Sequence, residues 1–251
     1  MITAEALRSR GDELAAGLAG SFQLGAGQYC TKPGIVFAPR GGGFAERVAR
    51  HLAPASLALL SDPISNGFRD GLDTLISLPG MTVHRDATGG DGIRPLVLAT
   101  SIDRVLENPS AHLVECFGPV TVVVEYASSD DVTTAIRAIG GSLTATLHGA
   151  PGEGLAALAD ELSAIAGRVL FDGWPTGVAV GWAQQHGGPW PSSTAPHTSV
   201  GATAIRRFLR PVAWQSAPDH LLPPELREAN PLGIPRRVDG ALVLADREGG
   251  A

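Results

Sequence analysis

The sequence has 251 residues, 44% hydrophobic and 18% charged, which is enough apolar material for a sizeable core in one domain or two small ones. Nineteen basic residues against 25 acidic ones give a net charge of -6 with no long block of one sign, and this disfavours nucleic acid as a partner. Two cysteines, Cys30 and Cys116, are too few for a disulfide scaffold, and neither belongs to a CxxC pair, which fits a reducing, cytoplasmic setting. Arg8, Arg10, Asp12 and Glu13 interrupt the apolar pattern of the amino terminus, and no run reaches transmembrane length, so neither a signal peptide nor a membrane span is expected.

Leu7, Leu14, Leu18 and Phe22 recur on one face of a helix expected from Ala4 to about Phe22, which Gly25 and Gly27 end. Pro33-Gly34 punctuates the chain before a short buried strand, Ile35 to Ala38, so Cys30 falls at a helix-to-strand junction, where side chains are presented rather than packed. Helices are then expected at Phe44 to Leu52 and Ser65 to Ser77, a strand at Pro95 to Ala99, and a short helix from Ser101. Strand Val120 to Tyr126, helix Asp130 to Ile139, strand Ser142 to Leu147, helix Gly154 to Ala166 and strand Arg168 to Phe171 follow. Strands separated by helices of about ten residues predict crossover units and an α/β sheet. After Asp172 the chain turns rich in Gly, Pro, Ser and Thr, before an expected helix at Ala202 to Leu209 and strand at Pro211 to Trp214; the last forty residues read as Pro-rich and irregular.

Cys30 is the first candidate for chemistry. A thiolate nucleophile needs exposure and a nearby cation or dipole, and Lys32 is the cation close in sequence; flanking glycines would let a backbone approach a ligand and offer N–H groups to an oxyanion. The texture alone favours the other reading, Cys30 as an inert small hydrophobe beside Tyr29. The glycine triplet at Gly41–Gly43 has the outline of a phosphate cradle, but its spacing fits neither GxGxxG nor GxxxxGK followed by Ser or Thr, so it reads as a surface turn. His112, His148, His186, His197 and His220 show no HxxxH or HExxH spacing, and no metal site is expected. Glu115-Cys-Phe-Gly-Pro119 precedes a strand, and its Gly-Pro step could aim Glu115 outward.

Together these stretches resemble the aldehyde dehydrogenase superfamily, in its C-terminal half. "GAGQYC" followed by "TKPGIVF" resembles the segment around that family's catalytic cysteine, and "ECFGPV" its Glu-x-Phe-Gly-Pro motif, in the family order. "GRVLFDGWPTGV", "HGGPWPSST", "TSVGATAIRRFLRPV" and "NPLGIPRRVDG" resemble the branch that contains the alpha-ketoglutaric semialdehyde and related fatty aldehyde dehydrogenases.

The resemblance implies an α/β catalytic-domain sheet with flanking helices, the Rossmann cofactor domain being largely absent. Residues 1–216 would form the catalytic domain with C-terminal family elements, and 217–251 a Pro-rich tail. Cys30 would attack a small-molecule aldehyde and pass through a thiohemiacetal and a thioester; Glu115 would hold the nicotinamide ribose of NADP or NAD, and Phe117 would lie near the nicotinamide. Asp172 stands where that branch shows Asn. Family members are longer, and their N-terminal part carries the Rossmann domain, an oxyanion-hole Asn and the Glu-Leu-Gly general base. The expected partner is therefore a further copy of the chain or the missing N-terminal half, and the alternative reading is a catalytically incompetent remnant or association module. Either way, uncovered apolar surface and self-association are expected.

Overall fold

The computed structural model describes residues 1–54, 56–84, 92–191, 193 and 197–244. Ser192 and Thr194 of the "HGGPWPSST" stretch and residues 245–251 of the expected tail lie outside these. The chain divides into two compact units, residues 1–207 and 208–251.

In the first unit the helices are α1 (Ala4–Gln23), α2 (Phe44–Ala49), α3 (Asp62–Ile76), α4 (Ile102–Glu107), α5 (Pro109–His112), α6 (Ser129–Ile139) and α7 (Ala156–Ile165). The strands are β1 (Ile35–Pro39), β2 (Thr82–Val83), β3 (Leu96–Ser101), β4 (Val120–Tyr126), β5 (Ser142–Leu147) and β6 (Ala166–Phe171). One sheet runs in the order β1-β4-β3-β2, with β1, β4 and β3 parallel and β2 an antiparallel edge. β5 and β6 form a second parallel pair. This is the α/β architecture that the alternation of strands and helices predicts.

Both faces of the larger sheet are covered. Phe37, Leu96, Leu98, Val122 and Val124 point into a core shared with α3, α4, α6 and α7, while Val36, Ala38, Val97, Ala99 and Val123 point into one shared with α1 and α2. Burial on both faces is why β3 and β4 read as nearly unbroken apolar runs rather than alternating ones. On the second face Phe22 and Phe44 are fully buried, each worth about 1.5–3 kcal/mol relative to exposure.

Polar residues set the helix starts. Thr3 accepts from Ala6 N at 3.1 Å to cap α1, Ser101 from Arg104 N at 3.4 Å to cap α4, and Ser128 from Asp130 N at 3.2 Å to cap α6. α1 breaks its helical dihedrals at Arg10 (φ -144°), whose guanidinium reaches Gly149 O at 2.8 Å and pairs with Asp172. Asp172 thus holds the kink of α1 to the end of β6.

The second unit contains two 3-10 turns and the antiparallel hairpin β7 (Arg236–Val238) and β8 (Ala241–Val243). None of its described residues is buried. The helix expected at Ala202 to Leu209 is only a 3-10 turn, Ala204–Phe208, and the strand expected at Pro211 to Trp214 does not form. Arg206 to Trp214 are all exposed, so their apolar pattern has no face to pack on.

One buried residue makes stability depend on pH. His148, 1% exposed, stacks at 4.4 Å on Trp174; its Nδ1 is 4.0 Å from Asp172, too far for a hydrogen bond. Burial first, then the amino terminus and Arg10, push its pKa down to about 4 from an ordinary 6.5, against the pull of Asp172. Between those values the unfolded chain takes up a proton that the folded chain refuses, so this contribution is complete above pH 6.5 and is lost as pH falls toward 4. His148→Phe, which keeps a ring against Trp174, should shrink the fall in urea midpoint between pH 7 and pH 5; an undiminished fall would refute the assignment.

Candidate active site

Cys30 and Glu115 precede β1 and β4, which are parallel neighbours, so both loops emerge at the amino ends of these strands. Three contacts lock the loops together. α1 gives way to three consecutive left-handed residues, Gly25 (φ 58°), Ala26 (φ 57°) and Gly27 (φ 71°), which turn the chain toward the sheet. Gly27 then lies so close to the second loop that a Cβ there would sit 2.2 Å from Gly118 O. Lys32 Nζ donates to Cys116 O at 2.8 Å and Val120 O at 3.0 Å, and Thr121 Oγ1 donates to Pro33 O at 2.9 Å. Burial holds the Lys32 ammonium below its ordinary pKa, partly offset by Cys116 and Glu115.

As a result Cys30 and Glu115 line one cleft of about 390 Å3, which also runs between β1 and β5. Cys30 is exposed and free, rather than sealed beside Tyr29. Cys116 is free but buried, beside Phe68 O at 3.6 Å, and burial first, then Glu115, pushes its thiol up against the pull of Lys32. Glu115 is exposed and its carboxylate makes no hydrogen bond or ion pair among the described residues. Phe117 is 37% exposed and does not line the cleft, so the structure brings together two of the three expected residues.

The groups around the thiol differ from those the sequence suggests. Lys32 is spent on carbonyls of the neighbouring loop; the cation coupled to the sulfur is Arg168 of β6, which burial holds below its ordinary pKa, partly offset by Cys30. Arg168 donates to Pro175 O at 2.6 Å and Gly177 O at 3.1 Å. His186 Nε2 lies 3.4 Å from Cys30 Sγ, a contact that no local pattern announces. Its backbone is pinned on both sides, N–H to Thr198 Oγ1 at 2.9 Å and C=O receiving Ser199 N and Oγ at 2.9 Å. Gly167 makes room for this loop, since a Cβ there would be 1.9 Å from Gly187 O. Burial first, then Arg168, hold His186 below its ordinary pKa, so near pH 7 it is a neutral imidazole able to accept the thiol proton.

The glycine triplet at Gly41–Gly43 leads into α2, a helix of only six residues. Among the described residues no group of three or more His, Cys, Asp or Glu side chains could hold a metal ion, and no helix is long and apolar enough to cross a membrane.

Comparison with known proteins adds the lineage. Alpha-ketoglutaric semialdehyde dehydrogenase 2 of Azospirillum brasilense is 42% identical over 249 residues, covering 94% of this chain and 46% of the relative. Alpha-ketoglutaric semialdehyde dehydrogenase of Acinetobacter baylyi is 33% identical over 253 residues, covering 97% of this chain and 48% of the relative. The chain belongs to the aldehyde dehydrogenase superfamily. The chain spans about half the length of the curated relatives it matches. No family model matches it. Solved structures share the fold: the Delta-pyrroline-5-carboxylate dehydrogenase from Mycobacterium tuberculosis bound with NAD superposes with a TM-score of 0.59 at 21% identity, over 77% of this chain and 37% of that one. A bifunctional proline utilization A protein does so with a TM-score of 0.61 at 20% identity, over 74% of this chain and 20% of that one.

Two outcomes follow for the thiol and the turn that positions it. Iodoacetamide should alkylate Cys30 at least about tenfold faster than Cys116 in the folded protein, and His186→Ala should slow Cys30 alone; equal rates by peptide mass mapping would refute the assignment of the imidazole. Gly27→Ala combines a left-handed φ with the clash on Gly118 and should cost at least about 2 kcal/mol by urea unfolding, whereas Gly20→Ala, with open space around it, should not.

Proposed function

We propose that Cys30 is the nucleophile for oxidation of an aldehyde to a carboxylate with NAD+ or NADP+, an oxo-acid semialdehyde being the favoured substrate class. The observation that carries this reading is an exposed thiol 3.4 Å from a neutral imidazole, on the same cleft as an unpartnered carboxylate. The names of the two curated relatives supply the substrate class.

His186 Nε2 takes the proton from Cys30 Sγ, and the sulfur bonds to the aldehyde carbon to give a thiohemiacetal. Collapse of its oxygen expels the carbon-bound hydrogen with its electron pair and leaves a thioester on Cys30. Water then breaks the C–S bond, releasing the carboxylate and restoring the thiol. The balance is aldehyde, water and oxidised cofactor to carboxylate, reduced cofactor and two protons. Sulfur suits both halves, being nucleophilic at the first step and a good leaving group at the last.

Glu115 fits the ribose end of a nicotinamide dinucleotide, since an exposed carboxylate without a protein donor accepts from both hydroxyls of a diol. Phe117, half-exposed one residue beyond Cys116, offers an apolar face near the ring. Bound there, the nicotinamide would supply a hydride acceptor. The pyrophosphate and the deacylating base are assigned to the length of the relatives that this chain does not span. Exposed Val180, Trp182 and Trp190 at 78–84% support association with a further copy or with that other half.

Two measurements test the reading. An activated ester should acylate the Cys30 peptide alone, and Cys30→Ser should abolish it. With the length of the relatives that this chain does not span supplied as a partner, alpha-ketoglutaric semialdehyde with NAD+ or NADP+ should give Cys30-dependent cofactor reduction, and the chain by itself should give negligible oxidation. Turnover surviving in Cys30→Ser would overturn the mechanism, and acylation with no cofactor reduction would favour an association module without oxidase activity.

A further inference from the structure

Arg168 carries a positive charge that no acid answers. Its guanidinium donates to Pro175 O at 2.6 Å and Gly177 O at 3.1 Å, and both acceptors are neutral carbonyls. Among the described residues no acidic side chain pairs with it, whereas Arg10 and Arg137 pair with Asp172 and Glu161. Its Nε is buried without a partner, and Cys30 is the group that offsets the burial of its charge. A half-buried charge left in this state is costly, and an anion beside it removes the cost.

That charge borders the cleft. Pro175, whose carbonyl Arg168 holds, lines the cleft together with Cys30. Gly167, the preceding residue of β6, packs so closely on Gly187 that a Cβ would sit 1.9 Å from its oxygen, next to the His186 that lies 3.4 Å from the Cys30 sulfur. Adjacent positions of one strand therefore set the imidazole and the guanidinium about the thiol. The charged side chains on the cleft itself, Lys32 and Glu115, answer each other, and Lys32 is already engaged on Cys116 O and Val120 O. A guanidinium has more N–H donors than two carbonyls use, and its fork matches the two oxygens of a carboxylate.

We propose that Arg168 is a specificity residue: it receives the carboxylate end of a short aldehyde acid whose aldehyde carbon is within reach of the Cys30 sulfur. This deepens the reading of Cys30 as the nucleophile and rests on it. The ligand class is an aliphatic chain with an aldehyde at one end and a carboxylate at the other. An aldehyde of the same length without the acid leaves Arg168 unpaired, and the Glu115 carboxylate disfavours the acid end on its own side of the cleft.

The test alkylates the full chain with two reagents of matched length, anionic N-(3-carboxypropyl)iodoacetamide and neutral N-butyliodoacetamide, and follows the Cys30 peptide by mass. In each the sulfur bonds to carbon, iodide leaves and the thiol proton passes to buffer. Rates are divided by those of 2-mercaptoethanol, which removes the intrinsic difference between the reagents. The anionic reagent should be favoured at least about fivefold, and about 1 M KCl should remove most of that preference. Arg168→Met should bring the ratio to about one, while Arg168→Lys, which keeps the charge without the fork, should keep part of it. Because the ratio cancels changes in the thiol itself, equal slowing of both reagents in Arg168→Met, with the preference kept, would overturn the subsite. So would the absence of a preference in the native chain, or one that salt leaves unchanged; both leave Cys30 standing as the nucleophile. A Cys30 inert to both reagents would overturn the nucleophile and the subsite together.

Discussion

The candidate site rests on a close approach between two backbones. Gly27 and Gly118 come together at a distance that admits no side chain on the first, and this contact, with the Lys32 ammonium holding two carbonyls beyond it, fixes the thiol loop to the carboxylate loop. Residues far apart in sequence thereby share one cleft wall. The geometry exists only once β1 and β4 are paired, because the loops are aligned by entering parallel neighbours from the same end.

That end is the amino end of the strands. Open α/β sheets generally bind ligands outside the carboxyl ends, where loops diverge at a switch point. Here the nucleophile sits opposite, and β6 and the loop carrying His186 supply what surrounds the sulfur. The thiol thus has a neutral imidazole and a half-buried guanidinium around it instead of the lysine two residues away. The guanidinium comes from a strand, and the imidazole from the part of the chain with least periodicity.

Much of the architecture was legible because burial leaves a periodic trace. β4 and β5 have the bounds that their apolar runs predict, and α1, α3, α6 and α7 lie within a few residues of expectation. Cys30 and Glu115 stood out through glycine punctuation on either side. His186 did not, since a histidine in a Gly- and Pro-rich loop looks the same whether it touches a sulfur or faces water. The hairpin β7–β8 did carry a signal: Asp239-Gly240, both at positive φ, is a two-residue turn between short runs, overlooked within an otherwise irregular tail. The helix and strand expected between Ala202 and Trp214 failed for the opposite reason, a pattern of apolar residues with no surface to cover.

Met1–Thr3 form a seam between the two sheets, Ile2 N donating to Phe37 O and Thr3 N to His148 O, both at 2.9 Å. Pro39 has no N–H to offer Ile2 O, and the Tyr126 hydroxyl takes its place at 2.7 Å. Burial first, then Glu153, raises that phenol to about 12. The chain has only two tyrosines, and Tyr29 is 42% exposed. The seam is therefore marked by a chromophore of its own, whose ultraviolet absorption reports the joint between the sheets separately from the surface.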